Sequence, residues 1–395
     1  MKKILIDGRF IGVGDSLGRY TIEVLQNILA IDSENRYSLL IRPAGRKLIR
    51  EYGFDQIENL RIEVLDIPHY SPAEQTSLFT WLNKKPYDLV HFMSFNHPIL
   101  YRRPFVVTIH DLTTFGYLHL ESFLRTAFFR RVMKSAAEKS KKIITISRTS
   151  KKEILENFDI PAAKIAVTLL AVDEKYLRVG KLEPNDRRRL GDKFKSEYGI
   201  GGDYLLYTGM WKRHKNLKHL IRAFQEVKNQ KSKIKMAEGI QLILVGKIDH
   251  DEPEVIKEIE RINNHSIDRT KSDDPVLPVG FVDENLLPAA YAGALAYVTA
   301  SLNEGFGLPP LEAIACGTPA VVSKLSTFPE ILGDAALFFN PLDVDDMAKK
   351  MGEIISSSKL RSDLRQLGLA QIKKYSWQKT AKETLEVYKE VLGIE

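Results

Sequence analysis

Short apolar runs alternate with longer amphipathic stretches along most of the chain. Residues 3–7, 105–110 and 204–209 are examples of the runs, rich in the branched and aromatic residues that suit a buried strand. Between them, apolar residues recur every three or four positions, as they do at residues 20–31, which is typical of a helix packed on a core. Strands that alternate with helices form a parallel sheet covered on both faces. The pattern predicts an α/β protein.

The alternation of strands and helices occurs twice, which indicates two domains. A charged, irregular stretch separates the two series, and 395 residues are ample for two hydrophobic cores. We predict a first domain at residues 1–172, a linker with a lead-in helix at 173–202, and a second domain at 203–376. Residues 248–274 are predicted to form a long polar insertion in the second domain.

The composition favours a globular protein of a reducing compartment. No apolar run is long enough to cross a bilayer, and the opening Met-Lys-Lys leads straight into a strand, so we expect no signal peptide. The single cysteine, Cys316, excludes an internal disulfide and favours a cytoplasmic location. The net charge of +7 suits an anionic ligand or an anionic membrane surface, and does not choose between them.

Residues 294–323 combine the features of an anion-binding turn. The stretch reads as a buried strand, a glycine-containing loop, a short helix opened by Pro309 and Pro310, and a second strand. Such a helix presents free backbone N–H groups and the positive end of its dipole, and both attract phosphate. We predict a phosphate site at this turn.

Two carboxylates flank the predicted phosphate site, Glu304 in the loop and Glu312 in the helix. A phosphate repels a carboxylate, so each glutamate is better suited to accept hydrogen bonds from hydroxyl groups. An anion site with a hydroxyl acceptor on either side fits a nucleotide sugar. The alternative is that both glutamates are ordinary surface acids and that Gly305 and Gly307 are ordinary turn residues.

Three further motifs lie at the ends of predicted elements. His110 ends an apolar strand, where ligands of open α/β sheets bind, although it could instead be satisfied within a loop. The sequence Lys-Arg-His-Lys at residues 212–215 follows a strand that ends at Gly209, and it would clamp an anion unless it is a solvated charge run. Residues 343–346 read Asp-Val-Asp-Asp, but their position at the head of a helix predicts a cap, and no metal site is predicted.

Glycines follow the first strand at positions 12, 14 and 18, and a helix is predicted from Tyr20. The dinucleotide fingerprint has two residues between its last glycines, whereas Gly14 and Gly18 are separated by three. No obvious acidic residue occupies the ribose position either. An NAD-dependent oxidoreductase therefore remains only an alternative.

Residues 120–152 are strongly basic, with ten Lys or Arg against two Glu, interleaved with apolar side chains. A basic amphipathic helix can lie on an anionic membrane. The same apolar positions also suit a stripe that faces the core, with the charges solvated. Both interpretations stay open, and nucleic acid is not an expected partner because no recognised binding motif accompanies the charge.

The sixteen residues from Glu304 to Pro319, EGFGLPPLEAIACGTP, resemble the signature of the family 4 retaining glycosyltransferases of the GT-B type. Within that family, Gly-Leu-Pro-Pro most resembles the mannosyltransferase and rhamnosyltransferase branch. The resemblance implies two Rossmann-like domains whose parallel sheets face across a cleft, with most of the acceptor site in the first domain and the nucleotide-sugar donor site in the second. It also implies that the last helix, within residues 377–395, crosses back onto the first domain.

The resemblance also implies a role for each candidate residue. Glu304 would hold the transferred sugar and His110 would contact it, Lys215 and Arg213 would bind the diphosphate, and Glu312 would accept from the ribose. The other implied donor-binding residues are Gly14, Gly18, Gly209, Phe281, Val282, Gly305, Phe306, Gly307 and Leu308.

The function implied by the resemblance is a retaining hexosyltransferase, most simply one that uses GDP-mannose without a metal or other cofactor. The acceptor would be a saccharide or a lipid-linked saccharide in polysaccharide biosynthesis. Alternatives are a transferase for UDP- or dTDP-linked glucose or rhamnose, a nucleotide-sugar epimerase of the same fold, and a non-catalytic protein that binds nucleotide sugars.

Overall fold

The computed structural model describes residues 1–13, 16–112, 123–229 and 239–394. The chain divides into two compact units, each built on its own parallel sheet. The first unit consists of Met1–Ala171 together with Ser376–Glu395, and the second consists of Val172–Tyr375.

Among the described residues, the first unit has a seven-stranded sheet and the second a six-stranded one. The strands of the first sheet are β1 (Lys3–Asp7), β2 (Arg36–Ile41), β3 (Leu60–Val64), β4 (Leu89–Phe92), β5 (Phe105–Thr108), β6 (Lys142–Thr145) and β7 (Ile165–Val167). Those of the second are β8 (Tyr204–Thr208), β9 (Gln241–Val245), β10 (Val276–Gly280), β11 (Ala296–Thr299), β12 (Ala320–Ser323) and β13 (Ala336–Phe339).

Both sheets have a point at which the direction of winding reverses. The spatial order is β3-β2-β1-β4-β5-β6-β7 in the first unit and β10-β9-β8-β11-β12-β13 in the second. The reversal lies between β1 and β4 in the first sheet and between β8 and β11 in the second. Loops that leave the carboxyl ends of these neighbouring strands diverge, and the crevice between them is where open α/β sheets bind ligands.

The helices cover both sheets. In chain order they are α1 (Ser16–Ile31), α2 (Arg46–Glu51), α3 (Phe79–Asn83), α4 (Phe123–Lys139), α5 (Arg148–Asn157), α6 (Glu174–Gly180), α7 (Pro184–Tyr198), α8 (Leu217–Asn229), α9 (Pro253–Asn263), α10 (Leu287–Gly293), α11 (Leu308–Ala315), α12 (Phe328–Leu332), α13 (Val344–Ser356), α14 (Ser358–Gln371) and α15 (Trp377–Leu392). The last of them, α15, lies in the first unit, where it packs against α1. The Tyr388 hydroxyl of α15 is 2.6 Å from Nδ1 of the buried His91 on β4.

The segment 173–202 is more regular than its charged sequence indicates. Asp173 caps α6 by accepting a hydrogen bond from the Lys175 N–H, and Pro184 opens α7 in its first turn. Gly199, with φ of 65°, ends α7. Both helices belong to the second unit, where α6 packs on α10 and α11 and α7 packs on α10.

The long polar insertion predicted at residues 248–274 contains a helix, α9, that was not predicted from the sequence. Val255, Ile259 and Ile262 of α9 are buried in the core of the second unit. Their spacing of four and three residues is that of one helix face. Charged residues occupy the opposite face of α9 and separate these apolar residues in the sequence, so the helical pattern was not recognised.

Most of the described apolar side chains of α4 face the core of the first unit, although Phe128 is 38% exposed. Phe129, Val132 and Met133 are buried, while Arg130, Arg131 and other charged residues of this helix are exposed. The core-facing interpretation therefore accounts for the described part of the basic segment. Residues 120–122, and the side chains of residues 123–125, lie outside the described part. No described helix is both long enough and apolar enough to cross a membrane.

Candidate functional site

The crevice between β8 and β11 collects the residues predicted to bind the donor diphosphate and sugar, except His110, which lies in the first unit. The loop after β8 carries residues 209–216, and the loop after β11 carries residues 300–307. Because β8 and β11 are neighbours, the two loops leave the same edge of the sheet side by side. The crevice lies wholly within the second unit.

Lys215 and Glu304 meet in this crevice. Lys215 Nζ donates a hydrogen bond to Glu304 Oε1 at 2.7 Å, and the two side chains are 17% and 18% exposed. An ion pair removed this far from water is weakly screened, so each charge strongly affects a ligand group placed next to it. The pair offers a cation for a phosphate and a carboxylate for hydroxyl groups.

The backbone fixes the two loops to each other. The Leu302 N–H donates to the carbonyl oxygen of His214 at 2.7 Å. Asn216, in the left-handed region with φ of 56°, donates from its side chain to the Pro341 carbonyl at 2.8 Å. Burial and the neighbouring positive charge of Lys215 together lower the pKa of His214 to about 4, so this imidazole is neutral at pH 7.

The predicted phosphate-binding turn leads into α11. Gly307 precedes the helix with φ of 92°, a conformation that disfavours any residue with a Cβ. A Cβ at this position would lie 2.5 Å from a ring carbon of Phe328. Ser326 Oγ accepts from the Glu304 N–H and donates to the Glu304 carbonyl, both at 2.7 Å. The turn is thus held at both of its ends.

Glu312 lies on the buried face of α11, and Tyr291 of α10 donates its hydroxyl hydrogen to Glu312 Oε2 at 3.0 Å. Burial raises the pKa of Tyr291 well above its ordinary value, so its hydroxyl stays protonated. Tyr291 also lies 2.9 Å from Thr208 Oγ1 at the end of β8. Since Glu312 is buried and Glu304 is ion-paired, neither glutamate is an ordinary surface acid.

Glycines allow the strand ends on the other side of β8 to approach closely. A Cβ on Gly246, after β9, would lie 2.0 Å from the carbonyl oxygen of Gly209. The two residues predicted to line the base pocket point in different directions beyond β10. The Phe281 side chain is 80% exposed, whereas Val282 is buried.

Two acidic residues beside the site were missed by sequence reasoning. Lys212 Nζ pairs with Asp249 Oδ2 at 2.8 Å, and Glu252 accepts a hydrogen bond from the backbone of Arg213. Both acids lie in the loop after β9, the strand next to β8. Strand order brings them beside the clamp, since neighbouring parallel strands place their following loops together, and that order is known only from the folded sheet. The predicted clamp of basic residues is therefore partly neutralised, and Lys215 faces Glu304 instead.

In the first unit, the predicted glycine loop is shorter than expected. The helix α1 begins at Ser16, so Gly18 lies in its first turn and the predicted start at Tyr20 is too late. A Cβ on Gly18 would lie 2.8 Å from the Phe10 carbonyl oxygen, so the glycine allows α1 to pack closely on that backbone. Gly14 lies outside the described residues.

His110 is held within the first unit, just beyond the end of β5. Its Nε2 lies 3.0 Å from the carbonyl oxygen of Met93, and because a carbonyl only accepts, Nε2 carries the hydrogen. The Tyr20 ring packs edge-on to the imidazole, with the ring centres 4.8 Å apart. The position at a strand end agrees with the prediction, and the contact with a sugar stays a prediction.

Asp343 caps α13, as its position in the sequence predicts. Its side chain accepts hydrogen bonds from the N–H groups of Asp345 and Asp346, each at 3.0 Å. Across the described residues, no group of three or more His, Cys, Asp or Glu side chains is arranged to hold a metal ion.

Two family sequence models match most of the chain. Residues 33–176 match the model described as glycosyltransferase family 4, and residues 192–370 match the one described as glycosyl transferases group 1. The chain therefore belongs to the family 4 glycosyltransferases.

Its relatives include several bacterial mannosyltransferases. The chain is 29% identical over 284 residues to O-antigen chain mannosyltransferase B of Escherichia coli, a match that covers 72% of the chain and 70% of the relative. It is 28% identical over 251 residues to O-antigen chain mannosyltransferase RfbU of Salmonella typhimurium, covering 63% of the chain and 60% of the relative. The match to the serotype-specific mannosyltransferase WbdA of Escherichia coli, 28% identical, spans 73% of the chain but only 33% of that longer relative.

Solved structures confirm the GT-B fold. HepE from Anabaena, crystallised with UDP and glucose, superposes with a TM-score of 0.73 at 18% identity, covering 99% of this chain and 100% of that one. WaaG, a glycosyltransferase involved in lipopolysaccharide biosynthesis, superposes with a TM-score of 0.68 at 13% identity, covering 98% and 99%. At 18% and 13% sequence identity, the similarity to these two structures shows a shared fold and no more.

Proposed function

We propose that this glycosyltransferase is a retaining hexosyltransferase that moves mannose from GDP-mannose to a saccharide or lipid-linked saccharide in glycan synthesis. The observation that carries the proposal is the partly buried Lys215–Glu304 pair in the β8–β11 crevice, next to the start of α11. A diphosphate joined to a sugar needs a cation and a hydroxyl acceptor at adjacent positions, and this pair supplies both. The mannosyltransferase relatives support mannose as the sugar.

In this proposal the second unit stabilises the departing diphosphate. Glycosyl transfer leaves negative charge on the phosphate oxygens, and the Lys215 ammonium would exchange its partner Glu304 for that charge. The N–H groups of Phe306, Gly307 and Leu308, at the start of α11, would add fixed donors. Preorganised donors of this kind supply the charge stabilisation that a metal ion provides in other transferases, so we propose that the reaction is metal-independent.

Glu304 would be released to accept hydrogen bonds from hydroxyls of the transferred sugar, which fixes the reacting carbon. Glu312, already held by Tyr291, would accept from the ribose. No carboxylate nucleophile forms part of the proposal, because retaining hydrolases need two carboxyl groups about 5 Å apart across the bond. Here Glu304 and Glu312 have different partners, a lysine and a buried tyrosine. His110, Arg213, Phe281 and Val282 remain predicted contacts of the donor.

The direct test is transfer from GDP-mannose, UDP-glucose and dTDP-rhamnose to an α-linked mannotriose, with the anomeric form of the product read by NMR. We expect turnover with GDP-mannose and an α-linked product, the configuration of the donor. A β-linked mannose product from GDP-mannose would contradict retention. Turnover with UDP-glucose or dTDP-rhamnose alone would show that mannose is not the transferred sugar. Isomerisation of the donor without any acceptor would favour the epimerase.

Chelation tests the metal independence separately. We expect the rate with excess EDTA to stay within about twofold of the rate with Mg²⁺, because protein groups carry the charge stabilisation. Activity that vanishes with EDTA and returns with Mg²⁺ would mean that a metal ion takes part.

A further inference from the structure

A pair of arginines lies at the end of α11, on the side of the second sheet away from the β8–β11 crevice. The helix α11 begins in the loop after β11 and leads to the start of β12. Its end therefore lies near the amino ends of the strands, whereas the crevice lies at their carboxyl ends. Arg187 reaches the end of α11 from α7 and Arg365 reaches it from α14, and both residues are partly buried.

The two guanidinium groups approach a single point beside Gly317. A Cβ on Gly317 would lie 2.8 Å from Arg365 Nε and 3.2 Å from Arg187 Nη1. Arg187 Nη1 also donates a hydrogen bond to the Gly317 carbonyl oxygen at 2.6 Å. Gly317 has a φ of 76°, a conformation that glycine adopts easily, and its missing Cβ leaves room for both side chains. Two positive charges are therefore close neighbours.

The charges of Arg187 and Arg365 lack an acidic partner among the described residues. No described carboxylate forms an ion pair with either guanidinium group, and Arg365 has no hydrogen-bond partner in that part of the chain. Like charges repel each other, more strongly where water is partly excluded. Burial and the positive charge of Arg365 lower the pKa of Arg187. The folded protein thus holds together two charges that disfavour each other.

The end of α11 does not require both arginines. The Gly317 and Thr318 N–H groups each donate at 2.9 Å to a carbonyl oxygen of the last turn, which is the usual way in which a glycine closes a helix. The helix dipole adds only about half a negative charge at this end. The hydrogen bond from Arg187 to the Gly317 carbonyl is sufficient for that partial charge, so the helix end does not explain the position of Arg365.

We propose that Arg187 and Arg365 bind a phosphate group, at a site separate from the donor crevice and independent of the sugar that the enzyme transfers. Guanidinium N–H groups pair with phosphate oxygens two at a time, and one phosphate has enough oxygens for two arginines. A phosphate monoester carries about 1.5–2 negative charges at pH 7, which balances two guanidinium groups, whereas a carboxylate balances only one. Inorganic phosphate and the headgroup of phosphatidic acid both present this group, so the experiment separates a soluble source from a lipid.

The test titrates the full chain with inorganic phosphate, with acetate at the same ionic strength, and with phosphatidylcholine vesicles that contain phosphatidic acid. Arg365→Gln removes one charge and no hydrogen bond among the described residues, so it should fold normally. Arg189→Gln is the matched control, since Arg189 lies on α7, is 83% exposed and pairs with Asp186. Lys215→Ala identifies phosphate that binds in the donor crevice instead. Calorimetry measures the free anions, and co-sedimentation measures the vesicles.

Arg365→Gln is expected to raise the dissociation constant for phosphate by roughly tenfold, because one of the two charged donors is lost. Arg189→Gln and Lys215→Ala should stay within about twofold of the wild-type protein. Acetate should bind at least about tenfold more weakly than phosphate, because it carries a single charge. In phosphate-free buffer, Arg365→Gln should melt no lower than the wild-type protein, since the substitution relieves a repulsion.

Phosphate binding that Arg365→Gln leaves unchanged would overturn the inference, and so would an equal affinity for acetate. Loss of phosphate binding in Lys215→Ala alone would place the phosphate in the donor crevice and would overturn it as well. Vesicle binding that depends on Arg365 would assign the phosphate to a lipid headgroup. Binding of free phosphate that depends on Arg365, without vesicle binding, would assign it to a soluble molecule. A wild-type protein that binds neither probe would contradict the site.

Discussion

Lys215 and Glu304 neutralise each other in a partly buried position, which makes each residue sensitive to the loss of the other. A lysine left alone at 17% exposure would lack a partner for its charge, and so would the glutamate. The sequence predicted both residues in the site through the resemblance around Glu304, but it assigned them to different groups of the ligand. Their direct contact depends on β8 and β11 being neighbours, and strand order is a property of the folded sheet.

Lys215→Ala should weaken binding of the nucleoside diphosphate by roughly ten- to hundredfold, since a hydrogen bond to a charged group is worth about 1.5–3 kcal/mol. Binding of the nucleoside alone should hardly change. Calorimetry measures both. Lys212→Ala is the matched control from the same loop, because Lys212 pairs with Asp249 and is 48% exposed. Equal losses for nucleoside and diphosphate in Lys215→Ala would show that this lysine does not contact the phosphates.

Glu304→Gln should lower kcat by about a hundredfold or more, because the amide keeps the shape but loses the charge that accepts from sugar hydroxyls. Binding of the nucleoside diphosphate should remain measurable, since Lys215 is then free of its partner. The assay is turnover at saturating donor, with a thermal melt to verify folding. Turnover of Glu304→Gln at the wild-type rate would show that Glu304 does not act in the site.

At the scale of elements, regular structure was predicted well where apolar residues dominate and poorly where charges surround them. The strand, loop and helix around Glu304 are present at β11 and α11. The helix α9 and the early start of α1 were missed. The local sequence there is polar or glycine-rich, so only packing on the sheet determines that these residues are helical. Phe281 and Val282 differ in burial, 80% exposed against buried, and the sequence pattern beyond the end of β10 did not indicate which of the two faces solvent.

The turn into α11 gives an element-scale prediction. Gly307→Ala forces a Cβ into the left-handed region and against the Phe328 ring, so it should destabilise the second unit by about 1–3 kcal/mol. Displacement of the turn should also weaken nucleoside diphosphate binding. Gly201→Ala is the control, because a Cβ there has no neighbour within 4 Å. Urea unfolding and calorimetry measure the two effects, and wild-type stability of Gly307→Ala would contradict the assigned role of this glycine.

At the scale of the whole molecule, each unit has its own core, and burial keeps three histidines of the first unit and the half-buried His214 of the second in the neutral state. Burial lowers the pKa of His91 to about 3, and those of His69, His97 and His214 to about 4. The two-unit α/β class and the family were predictable because parallel strands give continuous apolar runs and the motif at residues 304–319 is long. The buried charges of Asp7, Arg9 and Glu74 were not predictable, since no local pattern pairs residues 65 positions apart.

These histidines predict a loss of stability in mild acid. In the unfolded chain these histidines bind protons near pH 6.5, whereas in the folded chain they stay neutral until about pH 4. The free energy of unfolding should therefore fall as the pH drops between these values. We expect a decrease of roughly 2 kcal/mol or more from pH 7 to pH 5, measured by urea unfolding. His97→Gln should flatten the pH dependence. A stability that stays constant between pH 7 and pH 5 would contradict the neutral buried state.

The central claim is that the β8–β11 crevice of the second unit binds a nucleoside diphosphate, and calorimetric titration tests it most directly. The wild-type protein is titrated with GDP, UDP, dTDP and NAD, each in the presence of EDTA. We predict that one nucleoside diphosphate, foremost GDP, binds tightly and that NAD does not. Binding of NAD alone would place the nucleotide at the glycine loop of the first unit and contradict the account of the Lys215–Glu304 site.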